Sequence, residues 1–219
     1  MGIEGKKERK KRTARIVKEL KKLFPKAKIV LNYSNNWELL VSVILSAQCT
    51  DVMVNKVTEK LFKKYRTLDD YVQADSREFE QDIKSTGFYR NKAKNILAAA
   101  QIIKKEFGGK VPDIMEDILT LPGVARKTAN VVLGNAYGIV EGIAVDTHVR
   151  RLSQKLGLTD YSDPDKIERD LMQLLPKKEW FNFTYRLIEY GRHICPARKH
   201  ICKEHPLTRI YPKAATVWF

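Results

Sequence analysis

The region from Leu121 to His148 is built around a break in helical periodicity. Apolar residues at 114, 115, 118, 119 and 121, then at 129, 132, 133 and 136, follow the spacing of one helix face. Between them Pro122-Gly123-Val124-Ala125 interrupts the pattern, so two helices, Ile114 to Leu121 and Ala129 to Ala136, meet at a tight turn. Gly123 supplies the φ > 0 residue that such a turn needs. The second helix is predicted to begin at Arg126 or Lys127, which leaves the amides of the turn and of the first helical residues without partners inside the helix. Free amides and the positive end of a helix dipole bind anions, and in a basic chain a DNA phosphate is the natural one.

Lys127 sits at that same helix start. The dipole and the neighbouring Arg126 disfavour a second positive charge there, which favours the free amine, the form that attacks carbon. Asp146 precedes Thr147-His148 in a helix-start pattern, and a carboxylate opposite a reactive amine can take protons and stabilise positive charge on a sugar. Each residue alone has an ordinary reading: a solvated lysine, and an aspartate that caps a helix. The combination with the hairpin is what makes the chemistry specific.

The charge balance agrees. Lys and Arg number 41 against 26 acids, a net charge of +15, and an excess of that size calls for a polyanionic partner. The chain of 219 residues, 43% hydrophobic, can bury one or two cores. No run approaches about 18 uninterrupted apolar residues, which argues against a membrane span. The opening Met1-Gly2-Ile3-Glu4-Gly5-Lys6-Lys7-Glu8 has no apolar core and is not read as a secretory signal. Cys49, Cys195 and Cys202 are too few for a disulfide framework and suit a reducing compartment.

The rest of the pattern is helical, and the class is all-α. Lys6 to Arg12 is expected to be a mobile basic arm adding salt-sensitive attraction to DNA, followed by a helix through Ile16, Val17, Leu20, Leu23 and Phe24 that Pro25 closes. Trp37 to Ala47 predicts a buried helix, and Thr50 or Asp51 caps the next. Gln48, between them, reads on its own as solvent-facing polarity. Asp75-Ser76-Arg77-Glu78 opens another helix, and Ser85-Thr86-Gly87 ends it. Phe88, after that turn, is either a lid on the core or an apolar wedge of the kind that opens base steps. The helix after it, with Ala93, Ile96, Leu97, Ala100 and Ile103 on one face, stops at Gly108-Gly109. Ser162-Asp163-Pro164 starts a helix that halts at Pro176, and Trp180 to Arg192 forms the next, with Trp180, Phe181, Phe183 and Tyr185 as its packing residues.

The wording Leu121-Pro122-Gly123-Val124, Arg126-Lys127-Thr128-Ala129-Asn130-Val131-Val132-Leu133 and Ala144-Val145-Asp146-Thr147-His148 resembles the helix-hairpin-helix, Gly/Pro-rich loop and Asp signature of the base-excision DNA glycosylases. In detail it is similar to their endonuclease III-like branch, which couples base removal to abasic-site lyase activity. One departure is Ala125, where the motif usually has a second glycine, and alanine resists φ > 0. The resemblance runs from about Leu20 to Pro212. It implies two helical lobes with DNA bound across a cleft between them. Residues 1–28 would pack with the C-terminal lobe, 29–139 would be a six-helix barrel carrying the hairpin, and 140–219 would be the C-terminal lobe. Lys127 and Asp146 would be the catalytic pair facing each other across the cleft mouth. Gln48 would fill the space of an extruded base and Phe88 would be the wedge. Gly123, Val124, Ala125, Arg126 and His148 would complete the DNA contacts.

The segment from Gly191 to Pro212 resembles the family's iron–sulfur loop, spaced Cys-x6-Cys-x2-Cys-x5-Cys. Here the four slots fall on Cys195, Cys202, His205 and Tyr211, so two thiolates are missing and no stable 4Fe–4S cluster is expected. Cys49 is too distant in sequence to substitute. Cys195, Cys202 and His205 with His193 or His200 suffice by type and spacing for a zinc site; the alternative is a metal-free loop held by packing.

The implied function is base excision repair of oxidised or ring-saturated pyrimidines and abasic sites in double-stranded DNA, by a monomer that, if the source is a prokaryote, is cytoplasmic and associated with the nucleoid. Two rivals remain open at this point: a monofunctional mismatch glycosylase, which usually lacks a lysine at this position, and a hairpin protein that binds DNA without catalysis.

Overall fold

In the computed structural model, described for residues 5–217, the regular structure is entirely helical. Met1 to Glu4, half of the opening stretch considered above for a secretory signal, lie outside the described residues, as do Trp218 and Phe219. The helices are α1 Lys6–Leu23, α2 Asn36–Leu45, α3 Asp51–Lys64, α4 Leu68–Val72, α5 Ser76–Asp82, α6 Tyr89–Glu106, α7 Met115–Ile118, α8 Arg126–Ala136, α9 Thr147–Lys155, α10 Pro164–Leu174, α11 Trp180–His193 and α12 Pro206–Ile210. Short 3-10 turns lie at Lys84–Thr86, Lys177–Glu179 and Pro212–Thr216.

The chain divides into two compact units. One spans Val30–Glu141 and holds α2 to α8. Its central helix is α2, whose residues from Glu38 to Leu45 are all buried, and which packs on α3, α6 and α8. Burial all round explains why its sequence shows so little polar interruption. Trp37, Tyr65, Tyr71 and Phe79 form an aromatic cluster with ring centroids 5.1–5.8 Å apart, mostly edge to face, the arrangement that ring quadrupoles prefer. Capping residues define most of the helix starts: Asn35, Thr50, Thr67 and Asp75 each accept a hydrogen bond from the backbone N–H three residues on.

The other unit joins the N-terminal segment to residues from Gly142 onward. Ile16 and Leu20 of α1 enter one core with Val149 and Leu152 of α9, Ile167 and Leu171 of α10, and Phe183, Leu187 and Tyr190 of α11. Asp163 caps α10 and Pro164 occupies its first turn.

The basic stretch Lys6 to Arg12 is not a mobile arm; it is the first half of α1. Arg12, only 6% exposed, donates through Nη2 to the Gly157 carbonyl, and its guanidinium lies 4.3 Å from the centre of the Tyr211 ring. Arg9 pairs with Asp160 at 2.8 Å. These contacts dock the basic turns on their own unit, which a run of charges cannot reveal, because the long stem of an arginine buries as readily as an apolar chain. Arg12→Ala is expected to lower unfolding stability by about 1.5–3 kcal/mol in urea titration, the range for a charge-assisted hydrogen bond. A free arm would give no change.

Candidate functional site

The hairpin forms at the positions the sequence marks. α7 is short, and the chain turns through Leu119 to Val124 into α8, with Gly123 at φ +81° and the Val124 amide donating to the Leu121 carbonyl at 3.1 Å. Ala125 lies at φ −97°, ψ 171° as the residue before α8, an extended conformation open to any side chain, so the turn needs no second glycine. Gly123 is needed for space as well as for φ: a Cβ there would lie 3.0 Å from Asn95 on α6.

α8 starts without a side-chain cap and with no acidic residue in its first turn. Its leading amides are therefore left to an external acceptor, and the dipole adds a positive field. Arg126, Lys127 and Thr128 occupy that first turn, each half-buried. Val124 is buried under the turn, while Gly123 and Ala125 are exposed.

Gln48 and Phe88 have the same local geometry. They are the two non-glycine residues at positive φ among the described residues, +52° and +47°, and both are exposed. Holding an L-residue there costs about 1–2 kcal/mol, so the surrounding structure must impose it. Phe88, 63% exposed, is not a core lid. Its aromatic ring is presented to solvent from the start of α6, another helix with no side-chain cap and no acidic first turn.

The stems of both turns are held by Lys92, a residue that the sequence pattern passes over. Its ammonium is buried, 5% exposed, and donates to the carbonyls of Leu45 and Thr86, both at 2.8 Å. Leu45 ends α2 just before the Gln48 turn, and Thr86 precedes Gly87-Phe88. Burial pushes the Lys92 amine down from its ordinary range. One ammonium thus ties the stems of both exposed turns to α6.

In the other unit an extended, buried segment, Ile143 to Val145, leads to Asp146. The Ile143 amide donates to Glu168 Oε1 at 3.1 Å, and Thr184 Oγ1 donates to the Ala144 carbonyl at 3.0 Å. Asp146 is the N-cap of α9: Oδ1 accepts from the Val149 amide at 2.8 Å, which fixes the orientation of the second oxygen. His148 packs where Gly191 of α11 has no side chain; a Cβ at Gly191 would stand 2.5 Å from His148 Nδ1. His148 also lines a basic depression with Arg150 and Arg151. Cys195 and His205 come together with His200, whereas the Cys202 thiol points to the Ala215 carbonyl at 4.0 Å.

Comparison with known proteins places this geometry in a family. Residues 41–177 match the HhH-GPD superfamily of base excision DNA repair proteins, and the chain belongs to that superfamily. It is 54% identical to endonuclease III of Synechocystis sp. over 206 residues, 94% of each chain, and 48% identical to endonuclease III of Bacillus subtilis over 186 residues, 84% of each. Among solved structures, a trapped endonuclease III–DNA covalent intermediate superposes with a TM-score of 0.90 at 43% identity, covering 94% of this chain and 97% of the other. A non-covalent endonuclease III–DNA complex gives the same values.

Lys92→Met is expected to leave the Leu45 and Thr86 carbonyls buried and unsatisfied, at a cost of about 2–4 kcal/mol in chemical denaturation. Amide exchange should rise at residues 46–50 and 86–89. A change below about 0.5 kcal/mol would mean that the lysine behaves as a surface charge.

Proposed function

We infer that this chain is a bifunctional base-excision enzyme, a DNA glycosylase with associated abasic-site lyase activity. The observation that carries the reading is Lys127, an amine in the first turn of the uncapped hairpin helix. The relatives named endonuclease III and the covalent DNA intermediate solved for one of them support it.

The chemistry follows from the residue types. Opening a duplex costs least where a base is damaged, so extrusion selects the lesion before any bond breaks. The exposed Phe88 and Gln48 turns are suited to enter the stack and hold it open. The α8 amides and Arg126 take a backbone phosphate. Lys127 Nζ attacks C1′ of the sugar, the C1′–N bond breaks, and the base leaves with the bonding pair. The amine proton passes to a base, the role given to Asp146, whose charge also stabilises the cationic sugar. Ring opening gives a Schiff base between Lys127 and C1′. Loss of a C2′ proton then expels the 3′ phosphate by β-elimination, and water releases the lysine.

The substrates are oxidised or ring-saturated pyrimidines and abasic sites in double-stranded DNA. The enzyme acts as a monomer on the chromosome in the cytoplasm of a prokaryotic cell. No described helix is long and apolar enough to cross a membrane.

Borohydride reduction in the presence of abasic duplex is expected to give a covalent adduct with the wild-type chain. Lys127→Ala should abolish it while leaving duplex affinity largely intact. Parallel loss of affinity and adduct would make Lys127 a phosphate contact and leave a DNA-binding protein without catalysis. Asp146→Asn retains a good cap, so melting should be unchanged, while single-turnover excision should fall by about 100-fold or more. An unchanged rate would reduce Asp146 to a cap.

A further inference from the structure

The segment that follows α11 carries groups that the lyase chemistry does not use. The fold brings Cys195 Sγ and one ring nitrogen each of His200 and His205 within 4.8 Å of one another. Cys195, 1% exposed, is fixed at the end of α11 by its amide, which donates to the Tyr190 carbonyl at 2.8 Å. Ten residues on, His205 immediately precedes α12.

Each group sits in defined surroundings. His200 Nδ1 lies 2.7 Å from the Arg198 carbonyl, to which it can only donate, and its Nε2 is a buried atom. A histidine ligand is usually oriented in this way, with its second nitrogen donating to a backbone carbonyl. His205 Nδ1 is buried with no hydrogen-bond partner, an orphaned polar atom in a folded segment. The two rings stack with centroids 5.1 Å apart and planes 22° apart. Arg151 Nη1 lies 4.0 Å from the Cys195 sulfur. Arg151 also donates to the Cys195 carbonyl at 2.6 Å, which holds the positive group beside the sulfur.

The residues present do not fit the iron–sulfur cluster that the loop's spacing resembles. That cluster takes four thiolates, and here the third and fourth slots are His205 and Tyr211, with Cys202 turned to the Ala215 carbonyl. A donor set of one sulfur and two imidazoles is instead the chemistry of zinc.

We propose that Cys195, His200 and His205 are the protein ligands of a mononuclear zinc ion. Zn–S near 2.3 Å and Zn–N near 2.0 Å place tetrahedral ligand atoms about 3.3–3.6 Å apart, so the present separations close by side-chain rotation of about 1 Å. Zn²⁺ displaces the Cys195 thiol proton to solvent as the Zn–S bond forms, with no change of oxidation state. The ion links the end of α11 to the start of α12 and orders the basic loop between them, which carries Arg198, Lys199 and Lys203. The site is independent of the lyase assignment and stands or falls by its own measurement.

The test uses the full chain expressed with added zinc, measured by elemental analysis and by titration of the chelator-stripped protein with ZnCl2 against a chromophoric indicator. The expected result is one zinc per chain, no iron or sulfide, and a melting temperature raised by zinc. His200→Ala and His205→Ala alter half-buried side chains and are used in place of the core residue Cys195. Both should keep the helical circular dichroism signal, lose about 100-fold or more in zinc affinity, and show no zinc-dependent melting shift. Stoichiometric iron with sulfide would overturn the proposal. So would a stripped wild-type chain that takes up no zinc, or variants that bind zinc as well as the wild type.

Discussion

One face of α6 organises the Val30–Glu141 unit. Phe88 is the N-cap of α6, and Lys92 and Asn95, spaced i and i+3, share one face of the helix that follows it. Phe88 projects its ring from the helix start, Lys92 bonds to the carbonyls below the Gln48 and Phe88 turns, and Asn95 fills the space that Gly123 leaves in the hairpin. Three loops far apart in sequence are thus referenced to one rigid element. A buried lysine is costly unless its donors are satisfied, and here two main-chain oxygens satisfy it. The same bonds offset the strain of two L-residues at positive φ.

That explains what could and could not be read from the sequence. The hairpin was legible because Pro122-Gly123 interrupts a clear helical period, and the caps at Thr50, Asp75, Asp146 and Asp163 were legible because capping is a local bond. Lys92 was not, since a lysine one turn into a helix normally faces solvent and its partners lie 47 and 6 residues away. Phe88 was ambiguous for the same reason: an apolar residue after a turn glycine fits both a lid and a wedge until its exposure is known. Lys6 to Arg12 misled as a mobile arm, because its anchors, Gly157, Asp160 and Tyr211, lie at the far end of the chain. In the cysteine segment sequence spacing favoured Cys202, whereas folding puts the His200 ring beside Cys195 and leaves Cys202 facing Ala215.

Helix starts differ electrostatically, and within the Val30–Glu141 unit α6 and α8 stand apart from the rest. α2, α3, α4, α5, α9 and α10 begin on Asn, Thr or Asp side chains that accept the leading amides. α6 and α8 begin on Phe88 and Ala125, with no cap and no acid in the first turn. Uncapped amides must find water or an anion. These two starts carry Phe88 and Lys127, so the positive potential of the unit is concentrated at the residues that would meet a phosphate backbone. In isolation, substituting a capping residue such as Ser or Asp at Ala125 would favour the helix by about 1 kcal/mol. A carboxylate there would occupy the same amides that a phosphate needs. Stability and anion binding therefore compete for one set of donors, and at α8 the sequence forgoes the cap. At α9 the cap is kept: Asp146 Oδ1 accepts from the Val149 amide, and that bond fixes the second oxygen in one orientation. In the proposed mechanism the carboxylate is thus held before any substrate arrives, which leaves no ordering cost for the moment of reaction.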